Sequence, residues 1–240
     1  MIYFRGCVVR EKLGNISQAT EKILKLSSVD YRVLDDETCC GSFLLRTGFQ
    51  SEALNVMEKT LNDLKGEKIL VSCAGCYNTL KNDYKKLLGV ELDVVHTSQF
   101  FNDLINKGKL KVKKNPVNVT YHDPCHLGRH CGVYDEPREI LSKTANLVEM
   151  ERNREHSRCC GAGAGVKSAF PENALKVAEK RIKDAENTGS DLIVTSCSFC
   201  ILNLKNALEI FKKNKKESTN ISRVLDVSEI ILMEFEDEEV

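Results

Sequence analysis

Residues 68–76, Lys-Ile-Leu-Val-Ser-Cys-Ala-Gly-Cys, set a short apolar, β-prone run directly against the pair Cys73 and Cys76, and residues 191–200, DLIVTSCSFC, repeat the arrangement with Cys197 and Cys200. A run this short and apolar, bounded by small residues, reads as a buried strand. Upstream of each pair stands a second signature, Cys39-Cys40-Gly41 in one case and Cys159-Cys160-Gly161 in the other. Further upstream stand Cys7, after Ile2-Tyr3-Phe4, and Cys125, after VNVTYHDP (117–124). The gaps between the three groups are 31 and 32 residues in the first series and 33 and 36 in the second, so five cysteines recur in the same order. Such self-similarity marks a duplicated unit. Of the eleven cysteines, only Cys131 has no counterpart.

Between the cysteine groups lie amphipathic stretches at 51–65, 76–88, 172–187 and 200–213, each with helical spacing. Short buried strands alternating with helices predict an α/β fold of two similar domains. Each is a small parallel sheet flanked by helices, with its cysteine cluster at the carboxyl ends of the strands. The charged stretch KGKLKVKKNP (107–116), closed by Pro116, is the best linker, which divides the chain into 1–113 and 114–240.

Thirty-five basic and thirty-five acidic residues cancel, so no net field draws the chain to nucleic acid. No apolar segment reaches the roughly 18 residues of a membrane span, and the first residues lack the apolar core of a signal peptide. The expectation is a cytoplasmic protein without direct membrane insertion. In a reducing compartment eleven cysteines point to metal or redox duty rather than to disulfides.

A Cys-x2-Cys pair serves zinc and iron-sulfur clusters alike. The count discriminates: four ligands fill a tetrahedral zinc, whereas each half supplies five thiols, two of them adjacent. A polynuclear cluster accommodates both neighbours, and Gly41 and Gly161 let the backbone turn closely around it. Iron-sulfur chemistry is therefore favoured, with zinc in one half, or purely structural thiols, as alternatives.

His122, His126 and His130 recur every fourth residue around Cys125, although Asp123-Pro124 makes the start of this run a turn rather than a helix. They suit a mixed Cys/His metal site, a proton supply to a departing thiolate, or ordinary polar packing. His122 and His126 are the candidates for the catalytic proton role. The glycines 161, 163 and 165 do not complete a nucleotide-binding frame, but with Arg129 or Lys167 the turn could receive an anion. The run Lys212–Lys216 reads as a solvated helix end, and the ending EFEDEEV as a frayed acidic tail.

Taken together, these motifs resemble the CCG cysteine-rich domain family, and both halves match its pattern. The wording of the second half, YHDPCHLGRH (121–130), YDEPREIL (134–141), EMERNREHSRCCGAGAG (149–165) and SCSFC (196–200), is similar to the iron-sulfur subunits of coenzyme B-coenzyme M heterodisulfide reductases. Related subunits occur in glycolate, lactate-utilisation and glycerol-3-phosphate enzymes. The resemblance implies two noncubane 4Fe-4S clusters facing each other. Cys7, Cys39, Cys40, Cys73 and Cys76 would hold one, and Cys125, Cys159, Cys160, Cys197 and Cys200 the other. It also implies reduction of a small-molecule disulfide. No ferredoxin-type C-x2-C-x2-C-x3-C-P run is present, so electrons are expected from a ferredoxin-like iron-sulfur or flavoprotein partner. The alternatives are an electron-transfer subunit of a flavin-dependent hydroxyacid dehydrogenase and a zinc-stapled interaction protein.

Overall fold

Apolar runs too short for helices and apolar on both faces become the inner strands of two parallel sheets. In the computed structural model, which describes residues 1–213 and 219–233, the first half runs β1 (Ile2–Phe4), α1 (Cys7–Lys12), α2 (Gly14–Leu26), β2 (Arg32–Val33), α3 (Ser42–Arg46), α4 (Gln50–Leu64) and β3 (Lys68–Val71). Next come α5 (Ala74–Asn78), a π-helical turn at Thr79–Asp83, α6 (Tyr84–Leu88), β4 (Asp93–His96) and α7 (Thr97–Asn106). The second half runs β5 (Asn118–His122), α8 (Asp135–Thr144), β6 (Asn146–Leu147), a 3-10 turn at Arg154–His156, α9 (Val166–Ala169) and α10 (Pro171–Glu186). It ends with β7 (Leu192–Thr195), α11 (Ser198–Lys213), β8 (Arg223–Asp226) and α12 (Val227–Leu232).

Both sheets are parallel and share one strand order, β2-β1-β3-β4 and β6-β5-β7-β8. The chain therefore turns outward in opposite directions after β1 and β3, and again after β5 and β7. Such a reversal opens a crevice at the carboxyl ends of the inner strands, the usual ligand position in open α/β sheets. The first and fourth cysteines of each series leave those ends: Cys7 and Cys73 follow β1 and β3, and Cys125 and Cys197 follow β5 and β7. The adjacent pairs come in on the loops after β2 and β6.

Strand side chains alternate between two cores, as the twofold period of a strand requires. Ile2, Phe4, Ile69, Val71 and Ile193 join the cysteine-side core, which is continuous across both halves. Tyr3, Leu70, Tyr121 and Val194 face a second core that is also shared. The halves are further joined where α7 packs on α8, with Asn102 Nδ2 donating to Glu139 Oε2 at 2.6 Å, and where α2 packs on α12, with Asn15 Nδ2 donating to Glu229 Oε1 at 2.6 Å. No helix among the described residues is long and apolar enough to cross a membrane. Lys212, near the end of α11, donates to the Ser222 carbonyl at 2.7 Å. Residues 214–216 of the lysine run, and the acidic ending at 234–240, lie outside the described residues.

Candidate metal centre

Ten cysteine side chains form one unbroken row. In the first half it passes from Cys7 to Cys39, Cys40, Cys76 and Cys73 as neighbouring thiols, with Cys40 Sγ hydrogen-bonded to Cys76 Sγ at 3.2 Å. Cys73 then meets Cys197 of the second half. From there the row passes to Cys200, Cys160, Cys159 and Cys125. Under the duplication Cys7 corresponds to Cys125, Cys39 to Cys159, Cys40 to Cys160, Cys76 to Cys200 and Cys73 to Cys197. The row therefore reads the same from either end, with the Cys73–Cys197 contact at its centre. All ten are free thiols. Cys40, Cys73, Cys76, Cys160, Cys197 and Cys200 are buried.

The adjacent cysteines depend on a left-handed glycine. Gly41 and Gly161 both take φ 84°, and each returns its amide N–H to the sulfur two residues back, at 3.5 Å for Cys39 and 3.3 Å for Cys159. A Cβ on Gly161 would lie 2.4 Å from the Ala174 carbonyl oxygen. Gly161→Ala is expected to destabilise the fold by about 2 kcal/mol from backbone strain and crowding. Gly163→Ala, whose Cβ would meet nothing within 4 Å, should match the wild type in a urea titration.

Crowding sets the thiols against one another electrostatically. Cys39 is drawn down to about 3, first by the hydrogen bond from Cys40 and then by that from Cys7. Cys159 is drawn down to about 2, first by the bond from Cys125 and then by that from Cys160. Cys7 and Cys125, the donors in these bonds, are pushed up. Cys73 is also drawn well below its ordinary value, first by its bond with Cys197 and then by that with Cys76, so the first set favours two thiolates and the second one, Cys159, each sheltered by neighbouring S–H groups. A multiply charged metal assembly would release the remaining protons. Five soft donors strung along a row in each set, several of them out of water and those of the first set lining one cavity, suit a spread-out polynuclear iron-sulfur cluster better than a four-coordinate zinc.

The loops that carry Cys7 and Cys125 are held differently. Glu37, its side chain fully buried, accepts the backbone N–H groups of Arg5 and Gly6, both at 2.8 Å, just before Cys7. In the second half the buried Asp123 takes Arg138 in a fork at 2.7 and 3.0 Å and the Arg154 amide at 2.8 Å, just before Pro124 and Cys125. Neither clamp is marked in the sequence by more than a single charged residue near a cysteine.

The three histidines part company. His126 and His130 sit on the turn Pro124–Cys131, with ring centroids 5.2 Å apart. His126 Nδ1 is 3.7 Å from Cys125 Sγ, and its ring faces a cavity of about 60 Å³ lined by all five cysteines of the first set together with Cys197 and Phe43. Burial first, and then His130, hold His126 below its ordinary value. His122 instead ends β5 behind the second set, fully buried, with one ring nitrogen within 4.8 Å of the sulfurs of Cys160 and Cys200. Burial and Arg181 hold it well below the ordinary histidine range.

Arg181 is a site residue that sequence reasoning missed. On α10 it shares the buried face of Ala174, Ala178, Ile182 and Ala185, and that helical spacing is the signal that could have found it. The anion-receiving role considered for Arg129 and Lys167 finds both engaged elsewhere. Arg129 donates to the carbonyls of Glu155 and Ser157, and Lys167 to Asn203 Oδ1 at 2.8 Å. Cys131 stands apart from the row, against Asn78 and Asn82 of the first half.

Two α/β lobes presenting equivalent sets of five thiols define a duplicated cysteine-cluster protein. The CCG cysteine-rich domain model matches residues 1–81 and 119–205, and the chain belongs to that family. It is 42% identical over 224 residues to a subunit of the dihydromethanophenazine:CoB–CoM heterodisulfide reductase of Methanosarcina acetivorans, covering 88% of this chain and 55% of that one. It is 38% identical over 241 residues to a subunit of the CoM/CoB fumarate reductase of Methanothermobacter marburgensis, covering 98% of this chain and 46% of that one. The chain thus spans about half the length of these curated relatives. Among solved structures, a hypothetical protein from Helicobacter pylori shares the fold with a TM-score of 0.59 at 10% identity, over 97% of this chain and 48% of that one.

Proposed function

We propose that each set of five cysteines holds a noncubane 4Fe-4S cluster. Cys7, Cys39, Cys40, Cys73 and Cys76 are the ligands of the first, and Cys125, Cys159, Cys160, Cys197 and Cys200 those of the second. The observation that carries this reading is the symmetric row of ten sulfurs joined at Cys73 and Cys197. Two centres held in these sets would lie close enough to act on one substrate. Residues 107–117 carry no helix or strand, and we divide the chain near residue 113, giving domains 1–113 and 114–240.

The chain is then the reducing part of an oxidoreductase complex. It receives electrons from a ferredoxin-like iron-sulfur or flavoprotein partner and reduces a small-molecule disulfide of the coenzyme B-coenzyme M kind. Clusters held by the two sets of cysteines would supply single electrons to the disulfide. The net reaction takes up two electrons and two protons, breaks one S–S bond and yields two thiols.

Phe43 and Phe199 give the cavity apolar walls that keep water from the reacting sulfurs. His126, at the cavity wall, passes a proton to a departing sulfur, with the exposed His130 beside it on the path to solvent. The names of the relatives support reductase chemistry of this type. A cytoplasmic location, where thiols stay reduced, accords with it.

The anaerobically reconstituted chain, supplied with reduced viologen, is expected to reduce coenzyme B-coenzyme M disulfide to its two thiols. Clusters that exchange electrons with a flavoprotein while the disulfide stays intact would select the electron-transfer role instead.

A further inference from the structure

The two halves match in their thiols but not in what stands behind them. Each inner strand that leads to the first cysteine ends three residues before it, β1 on Phe4 and β5 on His122. The equivalent positions therefore hold a hydrocarbon ring in one half and an imidazole in the other. Both are buried on the cysteine side of their sheets.

The imidazole is fixed by Arg181. Arg181 Nε donates to His122 Nδ1 at 3.0 Å, and its side chain has no exposed surface. Three of the four remaining guanidinium N–H groups go to the Arg152 carbonyl at 2.8 Å, Asp184 Oδ2 at 3.3 Å and Ser157 Oγ at 3.0 Å. A guanidinium can only donate, so Nδ1 presents a lone pair to it. The ring proton then resides on Nε2.

A metal-binding histidine is built the other way round: the ligating nitrogen is bare, and the second nitrogen donates its proton to a carboxylate, a carbonyl or water. Proximity of His122 to Cys160 and Cys200 alone would suggest a Cys/Cys/His metal site. The arginine behind the ring argues against it.

We propose that His122 is an N–H donor to the sulfurs of the second set, locked in that tautomer by Arg181 as a positioning residue, and that it makes the two halves electronically unequal. The inference rests on the reading that both sets hold iron-sulfur clusters. A hydrogen bond to a cluster or thiolate sulfur stabilises the more negative, reduced state and raises the reduction potential. With Phe4 in the matching place, the first half has no such donor at that position. His122 therefore shifts the potential of the second cluster upward, a shift that Phe4 cannot give the first.

The test is an EPR-monitored redox titration of the full reconstituted chain, comparing wild type with His122→Phe, which copies the first half. The expected result is unchanged iron content and one cluster whose reduction becomes at least tenfold less favourable, about 59 mV for one electron. The other cluster should hold its potential. Loss of about half the iron in His122→Phe would mean that His122 is a ligand and would overturn the proposal, as would two unchanged potentials.

A second measurement needs no variant. In the wild type, proton and nitrogen hyperfine spectra in H₂O and D₂O should reveal an exchangeable proton coupled to one cluster and no directly coordinated nitrogen. A directly bound nitrogen would sink the assignment. A wild-type chain that takes up no iron would instead remove the reading on which the inference rests.

Discussion

Changing Cys159 and Cys160 together to serine is expected to remove about half of the iron and sulfide bound by the chain and to abolish disulfide reduction. A serine hydroxyl is a hard donor that stays protonated near neutrality, whereas the cluster requires soft, deprotonated sulfur. The two residues form consecutive links in the row, between Cys125 on one side and Cys200 on the other. Removing them breaks the second set in its middle while the five sulfurs of the first remain joined. The reciprocal change at Cys39 and Cys40 should remove the other half. Cys131→Ser, at the one thiol outside the row, should leave iron and sulfide unchanged, and all three variants are read by the same metal and sulfide analysis.

Asp123→Asn is expected to cost about 3 to 5 kcal/mol of stability, measured by urea denaturation. The carboxylate is 3% exposed and its partner Arg138 8% exposed, so the pair is out of water and the loss is little screened. An asparagine keeps one oxygen but turns an NH2 group toward the guanidinium, setting donor against donor. Glu149, which also binds Arg138, at 2.6 Å, softens the effect without replacing the amide bond from Arg154. By contrast, Lys85→Gln removes an ion pair with Glu91 whose members are 62% and 76% exposed, and should change stability by less than about 1 kcal/mol. Because Asp123 immediately precedes Pro124 and Cys125, its loss should also loosen Cys125, the first of the ligands proposed for the second set.

The inner strands and the main helices were legible because their signals are local. KILV and LIVT are apolar on both faces and became β3 and β7. The amphipathic stretch 172–187 became α10, Pro171–Glu186. The outer strands were harder. β2 and β6 have two residues each, too few to show a period. β4, Asp93–His96, and β8, Arg223–Asp226, mix apolar residues with charged or polar ends.

Within the site, the cysteine groups could be read from spacing, but the contact of Cys73 with Cys197 could not. It depends on how two sheets more than a hundred residues apart come to share one core. Arg181 was concealed for a different reason. In KRIKD a cation reads as solvent-facing, and only the alanines on the same helical face betray its burial. His126 and His122 looked alike in sequence. Only the fold separates the one facing the cavity from the one held by Arg181 behind the sulfurs.

The most direct test is the iron and acid-labile sulfide content of the full chain after anaerobic reconstitution, read together with its zinc content. Two 4Fe-4S clusters predict about eight iron and eight sulfide per chain with zinc absent. Zinc without iron, or iron and sulfide near four with zinc making up the other site, would contradict a cluster in each half.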